Sequence, residues 1–169
     1  MPNLDDLRAT RAKLEASVEQ HQRELGPEHP DLAGELRELG RLAHELRDVA
    51  DAQALLSRAL ALHTQALGSE HPETATDLNH LGLVLHDLGD LDAAQAAFER
   101  ALAIDEQALG REHLHVGRDT NNLGGVLRDR GDMFSARTAL EWSLKVYEKA
   151  LGPDHPTTRS VRRNLMILG

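Results

Sequence analysis

One short stretch occurs four times in this chain at a constant interval. Leu25-Gly26-Pro27-Glu28-His29-Pro30 is followed by Leu67-Gly68-Ser69-Glu70-His71-Pro72, Leu109-Gly110-Arg111-Glu112-His113-Leu114 and Leu151-Gly152-Pro153-Asp154-His155-Pro156. The leading leucines lie 42 residues apart each time, with no insertion or deletion between copies. A period of this length marks stacked units, none of which can bury its apolar face alone. The interval therefore sets the architecture before any single residue is interpreted.

The stretch punctuates helices. Leu4, Leu7, Leu14, Val18 and Leu25 recur at helical spacing, predicting a helix over 4–24. Gly26 ends it, and Pro30 is placed to open the next, where its missing N–H costs nothing. The same reasoning predicts helices over 31–47, 49–66, 73–88, 91–108, 115–130, 133–150 and 157–168. Their links alternate between a three-residue turn and a connector of about six, short enough to force neighbours antiparallel. In the second copy Gly89 caps one helix and Asp90 starts the next. Gly40, Gly82 and Gly124 share one register, and Ala52, Ala94 and Ala136 share another. Glycine inside a helix costs roughly 0.5–1 kcal/mol relative to alanine. Close helix approach is the expected reason, with Leu56, Phe98 and Leu140 beside the contact. Aromatics are only 2% of the chain, and Ala and Leu fill the apolar positions, as suits packed helices better than a sheet. An all-α solenoid is expected.

The run Leu78-x-x-Leu81-Gly82-x-x-Leu85, then Gly89-x-Leu91-x-x-Ala94-x-x-x-Phe98-x-x-Ala101, resembles the tetratricopeptide repeat. The 42-residue period and the connector resemble the longer repeats of kinesin light chains. Similar repeats sit in bacterial signalling proteins beside nucleotide-binding switch domains. The resemblance covers 25–169, and 4–24 align with the second helix of a degenerate preceding copy. It implies a right-handed superhelix of about eight helices forming one domain. Its parts would be a capping helix in 1–24, repeats over 25–66, 67–108 and 109–150, and a partial repeat or cap over 151–169. Arg47 stands where the turn glycine belongs, Thr120 replaces a core leucine, and Leu114 replaces the connector proline. The first and third copies are therefore expected to be less regular than the second.

A formal net charge of −9 argues against nucleic acid or acidic membrane as the main partner. The absence of cysteine removes disulfides, thiol catalysis and thiolate metal sites. The first residues lack the basic-then-apolar order of a signal peptide, and no apolar run approaches the ~20 residues of a membrane span. A soluble, cytoplasmic protein is expected. His29, His71, His113 and His155 are a whole repeat apart, on the order of 10 Å in a helix stack. Ligands of one zinc sit about 2 Å from it, so these histidines cannot share an ion and are expected to order the connector. His113-x-His115 lacks a third ligand. No metalloprotease helix or phosphate-cradling loop occurs. The acidic residues fall mostly at solvent-facing positions or helix starts, so no acid/base pair can be singled out. The expectation is no catalysis, no cofactor and no metal.

The resemblance places the first helix of each pair on a concave surface, where positions spaced 3, 4 and 3 share a face. That set is Gly34, Arg37, Arg41 and His44; then Thr76, Asn79, Leu83 and His86. It continues with Arg118, Asn121, Gly125 and Arg128, and ends with Ser160, Arg163 and Ile167. Five arginines fall here and no carboxylate does, in an acidic chain. Such a sign reversal suits an acidic or carboxylate-ended peptide segment, which arginine pairs in a planar, two-pronged manner. Asn79 and Asn121 are expected to bond the segment's backbone, and they resemble the groove asparagines of kinesin light chains. Gly125 leaves room for a bulky side chain. The candidate groove is thus Arg37, Arg41, His44, Asn79, Leu83, His86, Arg118, Asn121, Gly125, Arg128 and Arg163. Glu45, Asp87 and Asp129 lie next in sequence to His44, His86 and Arg128, and either neutralise them or hold them in place. Trp142, the only tryptophan, is either a packing residue or an exposed partner patch. A non-catalytic module binding a protein or peptide is expected, as sensor or adaptor in a larger signalling protein. The rival reading is self-association through helix faces or the open fourth repeat, giving a monomer or weak homo-oligomer.

Overall fold

The computed structural model describes residues 3–169. It contains eight helices: α1 (Leu4–Leu25), α2 (Leu32–Glu45), α3 (Val49–Leu67), α4 (Pro72–Asp87), α5 (Leu91–Leu109), α6 (Leu114–Asp129), α7 (Met133–Leu151) and α8 (Pro156–Met166). Each packs on its neighbours in sequence, most extensively within the pairs α2/α3, α4/α5 and α6/α7. In addition α2 touches α4 and α4 touches α6, while α3, α5 and α7 stand further apart. The even-numbered helices therefore line the concave side, and the odd-numbered ones splay on the convex side.

Close approach inside each pair rests on three glycines. A Cβ built on Gly40 would lie 2.7 Å from Leu56 Cγ, and one on Gly82 2.7 Å from Phe98 Cε1. On Gly124 it would lie 2.8 Å from Leu140 Cγ. Leu56, Phe98 and Leu140 are each at most 1% exposed, and Ala52, Ala94 and Ala136 are fully buried. The large residue of the second helix thus occupies the space that a methyl on the first would need.

His71, His113 and His155 are the N-caps of α4, α6 and α8. Each Nδ1 accepts the backbone N–H two residues on, at 3.2 Å. That geometry puts the ring proton on Nε2 and satisfies one of the donors a helix start leaves open. Leu114 opens α6 where Pro72 and Pro156 open α4 and α8, so loss of that proline leaves the helix start in place. Pro30 does not open α2, contrary to the expectation. His29 accepts from Asp31 N–H at 3.3 Å in the same way, but Leu32 N–H then bonds His29 C=O and Ala33 N–H bonds Pro30 C=O. These tighter turn bonds delay the α-helix to Leu32.

The expected irregularity of the first and third copies is otherwise absent: the three helix pairs pack to the same extent. Arg47 keeps the turn geometry at φ +66, where Gly89 and Gly131 have φ +80 and +86. A side chain in this region costs on the order of 1–2 kcal/mol. Asp90 and Asp132 cap their helices by accepting from Ala93 and Ser135 N–H. Asp48 makes no such cap and instead takes Arg11 of α1 at 3.1 Å.

Arg47→Gly is expected to stabilise the fold by about 0.5–1.5 kcal/mol, read as a higher urea midpoint with unchanged m-value. Gly82→Ala should do the reverse despite alanine's better helix propensity. The added methyl meets the Phe98 ring, and a loss of about 1–3 kcal/mol is expected in the same measurement.

Candidate functional site

On the concave side the expected cations are present, but the expectation that the face lacks carboxylates is overturned. Arg37 reaches across to α4, 2.5 Å from Glu73 and 3.3 Å from Asp77. Arg41 is held within its own helix by Glu38 and Glu45. His44 Nε2 lies 2.9 Å from Asp87, and His86 Nε2 lies 2.7 Å from Asp129, which also takes Arg128 at 2.8 Å. Of the two roles left open for Asp87 and Asp129, the structure shows pairing with basic side chains, and the histidine partners belong to the preceding repeat. The acids that meet Arg37, His44 and His86 arrive from a neighbouring helix, and those that meet Arg41 and Arg128 lie off the chosen face of the same helix. Arg163 and Arg159 on α8 are exposed and make no ion pair among the described residues.

Asn79 also needs correction. It is 1% exposed, its Nδ2 donates to Asp119 Oδ1 at 2.7 Å, and its Oδ1 accepts from Asn122 at 3.3 Å. No partner backbone can reach it. Asn121 is half-buried beside it, together with Asn122 and Asn164, which a single-face reading did not single out. Asn164 donates to Asn121 at 3.0 Å, Asn121 to Asn122 at 3.2 Å, and Asn122 to Asn79. Four side-chain amides thus form one head-to-tail run from α8 through α6 to α4, ending on Asp119. Each half-buried amide keeps a second N–H and a lone pair for another partner. Gly125 has open space on its face, and Leu83 is half-buried at the edge of the Phe98 core.

This geometry has close counterparts among solved structures. Family models of the tetratricopeptide repeat match residues 32–107 and 120–157. The chain belongs to the tetratricopeptide repeat family. Its fold is similar to BtubC (BKLC) from P. vanneervenii, with a TM-score of 0.84 at 22% identity, over 96% of this chain and 65% of that one. It is also similar to a putative kinesin light chain of Podosopora anserina with nearly identical TPR-like repeats, with a TM-score of 0.79 at 24% identity. That match covers 96% of this chain and 77% of the other. A substituted form of the same protein gives 0.80 at 24% identity, over 96% and 76% of the two chains. The chain therefore spans just under two thirds of BtubC and about three quarters of the kinesin light chain. No curated protein matches it in sequence. The likeness to the kinesin light chain is one of fold, and tetratricopeptide repeats are protein–protein interaction modules.

Within this repeat stack the joints between successive pairs are chemically unlike. Residues 21, 63, 105 and 147 share one register, and 35, 77, 119 and 161 share the facing one. The first joint pairs His21 with Glu35 at 3.0 Å, and the second pairs His63 with Asp77 at 2.6 Å. The fourth packs Tyr147 and Val161 into one apolar cluster. The third sets Asp105 against Asp119, both fully buried. The Arg118 guanidinium lies 2.9 Å from Asp119 and 3.3 Å from Asp105. His115 Nδ1 stands 3.5 Å from Asp105 Oδ2, and burial, then Arg118, lowers that imidazole's affinity for a proton. Asp105 Oδ1 and Asp119 Oδ2 have no donor among the described residues. Two carboxyls in one dry site cannot both ionise freely. Burial pushes the Asp119 carboxyl up to about 7, with Arg118 opposing and Asp105 assisting. Asp77 is also raised by burial, against the pull of His63 and Arg37. The sequence-based view that acids lie mostly on solvated positions misses Asp77, Asp105 and Asp119. The available signal was their place in the chain, each next to a core position at Leu78, Ile104 or Thr120.

Among the described residues no three histidine, aspartate or glutamate side chains converge on a metal position, and no helix is long and apolar enough to cross a membrane. A carboxyl whose folded pKa is raised stabilises the fold fully below its ordinary value, near 4. That contribution is lost as pH rises toward 7. Asp119→Asn mimics the protonated carboxyl, so it should match wild type near pH 4. At pH 8 it should exceed wild type by about 1–3 kcal/mol in urea unfolding.

Proposed function

We propose that the concave face holds an extended segment of a partner protein, with the half-buried amides Asn121, Asn122 and Asn164 bonding its backbone. The observation that carries this reading is the amide run itself. Side-chain amides already fixed by one another present donors and acceptors at no further ordering cost, the arrangement that best suits a peptide chain. Arg37, Arg41, Arg118 and Arg128 meet carboxylates of this chain, so an incoming acid would have to displace those. Acid preference is therefore concentrated at the α8 end, where Arg159 and Arg163 are free, and an acidic or carboxylate-ended segment would lie with that end on α8. Open space at Gly125 admits one bulky side chain between. The module acts without catalysis, in the cytoplasm, as the adaptor or sensor part of a larger assembly. Self-association is the second reading, favoured by Met166 and Ile167, which are 71% and 63% exposed at the end of α8.

Fluorescence polarisation with labelled extended peptides, acidic-ended and basic-ended, tests the groove. Asn121→Ala/Asn164→Ala should weaken both classes at least fivefold, and Arg163→Glu should weaken only the acidic-ended ones. Equal binding by wild type and both variants would remove this reading. Light scattering that shows a dimer abolished by Ile167→Asp would replace it with the second.

A further inference from the structure

Among the departures of the third repeat from the first two, several line one cavity on the convex side. Thr120 stands where the other copies have Leu36 and Leu78, and Phe134 where they have Ala50 and Asp92. Trp142 replaces Arg58 and Arg100, Lys145 replaces Ala61 and Ala103, and Arg111 replaces Pro27 and Ser69. The cavity has a volume of about 610 Å³. It opens where α5 and α7 splay, and its floor is Leu123, Leu127 and the shortened Thr120 of α6. Thr120 turns its hydroxyl back onto Val116 C=O at 2.7 Å and fills less of the space than a leucine would.

The replaced arginines had a structural job. Arg58 donates to Pro27 C=O and Arg100 pairs with Glu70, each tying the second helix to the connector before it. In the third copy Lys149 takes over that tie by pairing with Glu112. Trp142 is thereby released from it. The indole is half-buried between Arg111 and Lys145, each 5.0 Å from its centroid, and its Nε1–H has no acceptor among the described residues. A packed indole ordinarily finds one. Phe134, two turns away on the same face, is 83% exposed. The chain has only four aromatic residues, and the two that are not core both border this cavity.

We infer that this groove seats an amphipathic helix of a partner protein that carries apolar side chains one turn apart and a carboxylate beside them. The lining comes from helical stripes: Leu102 and Glu106 on α5, Leu123 and Leu127 on α6, Phe134 and Trp142 on α7. Such stripes are what helices turn toward another helix, and on the side that faces the cavity nothing among the described residues covers them. From Phe134 to Lys145 the seat is about 16 Å long, three turns of a docked helix. The charge gained relative to the other copies is positive. Arg111 is held by Glu106 at 3.1 Å, whereas Lys145 makes no ion pair among the described residues and faces a partner acid. Glu141 on the rim has Glu99 at the same register and is no novelty of this copy. The surface lies opposite the concave face and is independent of what binds there.

Because Trp142 is the only tryptophan, its fluorescence reports the site directly. Helical model peptides of about 16 residues, with leucines at i, i+4 and i+7 and flanked by glutamate or by lysine, serve as probes. Titration of the glutamate-flanked peptide should give a saturable change in emission, with the lysine-flanked peptide at least tenfold weaker. Thr120→Leu and Phe134→Asp restore residues that the second copy carries at those registers, so both should fold, and each should weaken binding at least tenfold. Asn121→Ala/Asn164→Ala on the opposite face should leave binding unchanged. No saturable change with either peptide, or equal binding by Thr120→Leu and Phe134→Asp, would overturn the inference. So would a concentration-dependent dimer in light scattering that Phe134→Asp abolishes, since the occupant would then be a second copy.

Discussion

Everything in this molecule hangs from the contact between a glycine on one helix and a large apolar side chain on the next. Gly40 with Leu56, Gly82 with Phe98 and Gly124 with Leu140 bring the paired axes close enough for alanines to fill the remaining interface. With helix pairs locked this way, a constant 42-residue period repeats each face at a constant step. The concave amide run and the convex cavity both inherit their alignment from that step. A solenoid built so has no single core, and its cohesion is a sum of contacts within pairs and across joints.

Fold and binding surface were not equally legible in the sequence. Helix boundaries, the count of eight and the glycine contacts follow from period, caps and small-residue register, all local signals that close packing reinforces. Pro30 is the exception, because Leu32 and Ala33 N–H bond back to His29 and Pro30 C=O in a tight turn ahead of the helix. The groove was harder. Taking every third or fourth residue along one helix finds the cations, but several partners sit on the first helix of the next repeat, as with Arg37 and Asp77 or His44 and Asp87. Asn79 shows the same limit, since a residue at the edge of a face is buried or open according to how closely the next helix leans on it. Asn122 and Asn164, one residue off the chosen face, lie half-buried beside Asn121 in the amide run.

The third repeat illustrates how a repeat array acquires individuality. Its pair packs as closely as the others, so its departures cost the fold little. Several, Phe134, Trp142 and Lys145 among them, collect on the outer surface where the second helices diverge. Lys149 in place of the tying arginine is the compensation that makes the exchange tolerable. Comparison of copies within one chain thus separates residues that hold the stack together from those free to take on another role.

The unlike joints have one more consequence. In a linear array each unit is secured only by the neighbours on either side, so cohesion is limited by the poorest seam and not by the average. His63 with Asp77 and Tyr147 with Val161 make seams that satisfy themselves. Asp105 facing Asp119 makes one held by Arg118 and strengthened by a proton on Asp119. Where that proton is absent, the seam between α5 and α6 relies on Arg118 and the surrounding helix packing, so its hold on the blocks either side weakens as pH rises.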